Sequence, residues 1–204
     1  MSLQTFVKVG EITNLSDARY CAGMGVDLLG FNVVEGTPGY VDPEKFAEIA
    51  GWVVGVSYCA EIGNHYPAKE LMESLKNADI SFIESTSLEI LKNLTGFSKI
   101  LKMTINSDND ISKIIDTFPK TDGVCDFILI ESDNNDFFSK IDQSLSAVAE
   151  TVNVIKAYGL TKENVLTLDT DIFYGVALKG SEEIKPGYKD FDELAEILEA
   201  LDVD

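Results

Sequence analysis

Acid–base chemistry in this chain has to come from carboxylates, because Asp and Glu number 35 while there is one histidine, His65, and three cysteines. Glu131 is the best-placed of them. It closes the apolar run Asp126-Phe127-Ile128-Leu129-Ile130, so its carboxyl is expected at the edge of a dry core, where desolvation raises a carboxyl pKa toward the range useful in proton transfer. Glu11 and Glu84 end β-rich runs of their own, and either would supply a second carboxylate. Two carboxyls whose pKa values are pushed apart can run acid–base chemistry on a sugar phosphate. Small and cationic residues gather elsewhere, at Tyr158-Gly159 and Lys179-Gly180-Ser181. Backbone N–H groups freed by glycine, with a lysine beside them, suit a phosphate. Gly159, Lys179, Gly180 and Ser181 are therefore the expected phosphate-binding residues.

Other chemistries are disfavoured. Cysteines 21, 59 and 125 are odd in number and widely spaced, as expected of separate reduced thiols rather than a disulfide framework. Cys59 has no histidine at its side in sequence and reads as a small buried apolar residue, not a nucleophile. Without a C-x-x-C pair, neither a zinc site nor any other metal or cofactor is expected. The formal net charge of −19 opposes non-specific attraction to nucleic acid or an anionic membrane. No apolar run approaches the roughly 18 residues of a spanning helix, and Met1-Ser2-Leu3-Gln4 lacks a secretory pattern. A cytoplasmic protein is expected.

The elements that would position these residues alternate from end to end. Strands are expected at 5–9, 27–34, 52–57, 80–83, 99–103, 126–130, 152–157 and 173–178, from their β-branched and aromatic runs. Helices are expected at 15–24, from Asp42-Pro43-Glu44 onward, and at 67–76, 88–94, 110–118, 139–151, 162–166 and 191–201. Asn14 or Ser16 is placed to cap the first of these, and Gly25 to end it. Eight βα units across residues 1–204 as one domain point to an α/β fold of the (β/α)8 TIM-barrel type, with parallel strands inside and helices outside. An open doubly wound sheet is the competing architecture, but the first turn, at Gly10, lacks its G-x-G-x-x-G fingerprint. In a barrel the active site lies at the C-terminal ends of the strands, and the Glu131, Glu11, Gly159 and Gly180 segments all fall there.

Several of these segments, spread over nearly the whole chain, resemble the phosphoribosylanthranilate isomerase family. Lys8-Val9-Gly10-Glu11-Ile12-Thr13 is similar to the family's Lys-Ile-Cys-Gly-Ile-Thr, and Gly25-Val26-Asp27-Leu28-Leu29-Gly30-Phe31 to its Gly-Ala-Asp-Ala-Leu-Gly-Phe. Thr37-Pro38-Gly39-Tyr40-Val41-Asp42-Pro43-Glu44, Gly159-Leu160-Thr161-Lys162-Glu163-Asn164-Val165 and Pro186-Gly187-Tyr188-Lys189-Asp190 match further family segments. The resemblance implies a barrel that converts an aminoaldose phosphate to its ketose. It also implies changes at the working positions. The family's general-base cysteine falls on Gly10, or on Val9 if the glycines are matched, with Glu11 as the nearest substitute. Its carboxylate-holding arginine falls on Gly39. Its Gln-Leu-His-Gly becomes Phe82-Ile83-Glu84-Ser85, its strand-eight aspartate becomes Ala177, and its general-acid aspartate becomes Glu131. Around the phosphate, Gly159 stays, Tyr158 replaces a glycine, and Lys179-Gly180-Ser181 reorders a Ser-Ser-Gly turn.

Three functions are consistent with this reading. One is an isomerase of the family's type with Glu131 as acid and Glu11 or another carboxylate as base. Another is a paralogue acting on a different small phosphorylated metabolite. The last is a catalytically inactive barrel kept for ligand binding or as a subunit. A monomer or homodimer is expected in each case.

Overall fold

The computed structural model describes residues 2–148, 152–180, 183–185, 188–189 and 192–203. Eight strands, β1 (Phe6–Gly10), β2 (Leu28–Asn32), β3 (Ser57–Glu61), β4 (Phe82–Ser85), β5 (Ser98–Thr104), β6 (Phe127–Glu131), β7 (Asn153–Ala157) and β8 (Phe173–Lys179), pair in sequence order into a closed barrel. Every pairing is parallel, and β8 returns to β1 in register from Phe6 opposite Gly175 to Gly10 opposite Lys179. Around it lie α1 (Leu15–Gly23), α2 (Pro43–Trp52), α3 (Lys69–Asn77), α4 (Leu88–Lys92), α5 (Asp108–Thr117), α6 (Phe138–Leu145) and α7 (Asp192–Leu201). The expected helix at 162–166 is only a 3-10 turn, Val165–Thr167. After β8, β9 (Glu183–Lys185) and β10 (Tyr188–Lys189) form a small antiparallel pair.

Local chemistry fixes the helix starts. Asn14 caps α1 by accepting from the Asp17 N–H. Asp42 accepts from Glu44 and Lys45 ahead of α2, with Pro43 pre-set in the first turn. At α5 the cap is reciprocal: Ser107 accepts from the Asp110 N–H, and its hydroxyl donates to the Asp110 carboxylate at 2.7 Å. Strand starts are tied by aspartates. Asp27 accepts from the Val7 N–H and Asp126 from the Lys99 N–H, both at 2.8 Å, joining β2 to β1 and β6 to β5.

The period-2 alternation of the strands sorts side chains into two cores. Outward residues such as Val7, Val9, Leu29, Phe31, Ile128 and Ile130 pack against the helices. Inward residues stack along the barrel in tiers. At the N-terminal end Phe6, Phe82 and Phe127 meet, with Tyr174 against Phe6 and Phe127 at centroid distances of 5.4 Å. The middle tier is Leu28, Cys59, Ile100, Leu129, Ile155 and Ala177. Burial of each Leu or Ile there contributes about 1.5–3 kcal/mol. The C-terminal tier is charged and borders a large cavity at the barrel mouth. Among the described residues no helix is long and apolar enough to cross a membrane.

One expected strand is misplaced. The run Trp52-Val53-Val54-Gly55-Val56 does not enter the barrel: Trp52 ends α2 and Val54 is 84% exposed, while β3 starts at Ser57. Apolar content makes the run read as a strand, but the helix continues into it and Gly55, at φ +83°, turns the chain. The true β3, Ser-Tyr-Cys-Ala-Glu, alternates between an inward thiol and outward Tyr58 and Ala60. The shift moves the strand end from Ser57-Tyr58 to Glu61 and so brings one more carboxylate to the barrel mouth.

Candidate active site

The charged tier is built on Lys8. This lysine sits mid-strand between two valines and is 2% exposed. Its stem crosses the barrel interior, and its ammonium donates to the Glu61 carboxylate and lies 2.9 Å from Glu84 Oε2. Glu61 and Glu84 are register partners on β3 and β4, so both carboxylates project inward side by side. Two glycines make this arrangement possible. A Cβ built on Gly10 would come within 2.6 Å of Glu61 Oε1, and one on Gly30 within 2.0 Å. A side chain at position 10 or 30 would displace the Glu61 carboxylate from where it stands. Glu61 fills the space that the strand-one and strand-two side chains give up.

A second ion pair faces this group. Lys102 Nζ lies 2.9 Å from Glu131 Oε2, and the Thr104 hydroxyl donates to Glu131 Oε1 at 2.7 Å. The register of β5 and β6, Thr104 opposite Glu131, sets this geometry. A cavity of about 780 Å³ opens above the tier, between Glu61, Glu84 and Lys102 on its floor and the loops after β1, β2 and β3 on its rim.

Electrostatics separate the carboxyls. Burial raises the Glu84 pKa, and Glu61 beside it adds to that; the ammoniums of Lys8 and Lys102 only partly offset the rise. Glu131 goes the other way. Burial alone would raise it, but the Lys102 charge, the hydrogen bonds from Lys102 and Thr104, and Lys179 hold it below the ordinary value. The expected upward shift of Glu131 is therefore corrected: the ammonium beside it outweighs the dry strand end. Both lysines are held cationic. Burial works against the charge on Lys8 and on Lys102, yet Glu61 and Glu84 around the first, and Glu84 and Glu131 around the second, raise both pKa values.

The other expected site residues fall as follows. Glu11 reaches the cavity rim but not its floor. It takes φ +57°, its side chain is half-exposed, and Lys179 Nζ lies 3.5 Å away. Its backbone N–H donates to Glu61 Oε2 at 3.2 Å. Lys179 and Gly180 come to the mouth at the end of β8, but the Gly180 N–H is taken by the Gly10 carbonyl at 2.7 Å. Gly159, at φ +59°, is covered by the Phe138 ring, which leaves no room for a Cβ. It is not among the residues bounding the cavity. Ser181 lies outside the described residues. Cys59 is fully buried and its thiol pKa is pushed well up by desolvation, in keeping with a packing role.

Sequence reasoning missed Glu61, Lys8 and Lys102. The signal was present for Lys8, a lysine where β1 should be apolar, and for Gly10 and Gly30, small residues on adjacent strands. Glu61 was hidden by the misplaced β3. His65, the sole histidine, also borders the cavity from the β3–α3 loop.

No family model matches the chain. At the level of whole sequences, it is 26% identical over 203 residues to the N-(5'-phosphoribosyl)anthranilate isomerase of Sulfurihydrogenibium sp. (strain YO3AOP1), covering 96% of this chain and 98% of that one. It is 27% identical over 213 residues to the N-(5'-phosphoribosyl)anthranilate isomerase of Petrotoga mobilis, covering 96% of each. The solved phosphoribosyl anthranilate isomerase of Thermotoga maritima superposes with a TM-score of 0.75 at 18% identity, over 97% of this chain and 98% of that one. A solved phosphoribosyl anthranilate isomerase in complex with reduced 1-(o-carboxyphenylamino)-1-deoxyribulose 5-phosphate gives 0.73 at 18% identity over the same shares. The chain is a relative of the phosphoribosylanthranilate isomerases along nearly all of its length, carried on the same (β/α)8 barrel.

Proposed function

We propose that the protein is an aldose–ketose isomerase acting on a small phosphorylated amino sugar, with proton transfer run by glutamates. One observation carries this reading: the Glu61 carboxylate occupies the volume that a side chain at position 10 would fill, and position 10 is, with Val9, one of the two places where the resemblance puts the family's base. The names of the relatives support the reaction class. Charge supports the division of labour.

The isomerisation needs four proton movements. A proton on the ring oxygen opens the sugar and leaves an iminium at C1. Loss of the C2 proton then gives an enaminol. Reprotonation at C1, with loss of the proton on O2, gives the aminoketose. Glu61 is the base at C2, held in place by Lys8 and by the Glu11 N–H. Glu84, kept protonated to higher pH by burial, is the donor to the ring oxygen. Glu131 stays anionic and fixes Lys102, whose ammonium stabilises charge developing on O2. The phosphate end belongs toward the β8 terminus, where Lys179 stands beside Glu11.

The reading is tested with purified protein and N-(5'-phosphoribosyl)anthranilate or its N-phenyl analogue, following loss of the aromatic amine's fluorescence. Turnover of either is expected, with kcat falling about 10²–10⁴-fold in Glu61→Gln, the span of a positioned proton-transfer group. Absence of turnover by folded protein that binds the compounds would favour the ligand-binding reading instead. That alternative draws on the fact that Glu61, Glu84 and Glu131 each face a lysine.

A further inference from the structure

We infer that the arm of the substrate opposite its phosphate is neutral or cationic, and that the site discriminates against a carboxylate there. The inference rests on the isomerase reading for the phosphate end, and on the cavity's own donors for the other.

The cavity wall away from Lys179 is the β2–α2 loop with the ends of β3 and β4. In that loop the side chains of Asn32 and Thr37 are spent internally. The Asn32 amide donates to Thr37 Oγ1 at 2.8 Å and to the Pro38 carbonyl at 2.7 Å, and Asn32 Oδ1 accepts from the Val34 N–H. The Thr37 hydroxyl donates to the Val34 carbonyl at 2.6 Å. The backbone N–H groups of Thr37, Tyr40 and Val41 are bonded within the same turn or back to Asn32. Gly39, at φ +74°, contributes no side chain. A carboxylate against this wall would find none of these donors turned toward it.

Carboxylates outnumber the basic side chains, Lys102 and His65, that border the cavity among the described residues. Glu11, Glu61 and Glu84 border it, and among the described residues Lys102 is the one Lys or Arg that does. Its ammonium already lies on Glu131 at 2.9 Å. An anionic arm would be brought next to Glu61 and Glu84, whereas a neutral aryl or a fixed cation meets no such repulsion.

The test uses three unreactive analogues, the 1-arylamino-1-deoxyribitol 5-phosphates of anthranilate, aniline and a trimethylammonium-substituted aniline, with Kd measured by calorimetry at low salt. The neutral compound is expected to bind at least tenfold more tightly than the carboxylate, and the cationic one at least as tightly as the neutral. The gap should narrow as salt is raised. Equal or tighter binding of the carboxylate overturns the inference, and so does failure of all three to bind. Binding in the expected order with no turnover of the corresponding phosphoribosylamines would remove the isomerase reading alone.

Discussion

Gly30→Ala should separate the function of the charged tier from its contribution to folding. The new methyl would stand 2.0 Å from Glu61 Oε1 and 2.9 Å from Lys8 Nζ. Both are ends of long side chains, so the carboxylate moves and the backbone does not. Replacing glycine in a strand recovers about 0.4–1 kcal/mol of chain entropy where the backbone geometry allows it. Overpacking costs about 1–3 kcal/mol. The net is a loss of about 0–2.5 kcal/mol, and for a chain of this size about 2–4 °C in Tm per kcal/mol. Glu84, 2.9 Å from Lys8 Nζ, is not among the atoms that the methyl meets. Activity should fall far more, about 10²-fold or beyond, because a proton-transfer group displaced by an ångström no longer reaches its carbon. Thermal melts and kcat on the same preparation give both numbers. Gly175→Ala is the control: its Cβ would lie 2.2 Å from the Phe6 carbonyl oxygen, a backbone atom across the β1–β8 seam. That variant should lose stability first, by about 3 kcal/mol or more. Gly30→Ala with wild-type kcat would refute the assignment of Glu61.

Further consequences come from the same contacts. Glu84 is raised by burial, so the folded state holds its proton more tightly than the unfolded state. Its contribution to stability is full below the ordinary carboxylate value and is lost as pH rises through the raised one. Glu84→Gln should therefore compare better with wild type at pH 8 than at pH 4.5 in urea melts; no change in the difference would contradict the assignment. Glu131, held low, has the opposite sign, and Lys102→Met should raise its pKa, read by carboxyl NMR. On the outer face of β7, the Tyr158 hydroxyl donates to Asp142, which also holds Lys156 at 2.9 Å. Tyr158→Phe should cost about 1.5–3 kcal/mol, as for a hydrogen bond to a charged group. Cys59 should resist thiol reagents in native protein and react on unfolding, since it is fully buried; fast native labelling would exclude the packed tier.

The barrel was legible because caps, strand lengths and repeat agree with one another. Asn14 and Asp42 act as caps where their sequence context places them, and β6 matches its apolar run to within a residue. Boundaries were less secure. Trp52 to Val56 carries more apolar surface than β3 itself, and only tertiary packing shows that Trp52 and Val54 face outward. That error hid Glu61, because a strand-end argument fails when the end is misplaced by four residues. Glu131 was found, but its partner was not: Lys102 lies 29 positions earlier, and only the β5–β6 register brings the two together. Glu11 illustrates a different limit. Its position one residue past β1 suggested an inward carboxylate, yet a left-handed backbone turns the side chain to the rim beside Lys179. Side-chain direction at a strand end depends on φ, and the positive φ of Glu11 is one that a non-glycine residue adopts uncommonly, so its type gives no sign of it.

The central claim is that a glutamate from β3 moves the proton at C2. Exchange at that carbon reports it directly, without dependence on release of product. Protein incubated in D2O with an N-aryl phosphoribosylamine it binds should introduce deuterium at C2 of recovered substrate or C1 of product, read by NMR. Glu61→Gln should reduce the exchange by at least about 100-fold, while Glu11→Gln should keep it within a few-fold of wild type. Exchange that survives Glu61→Gln and is lost in Glu11→Gln would contradict the account.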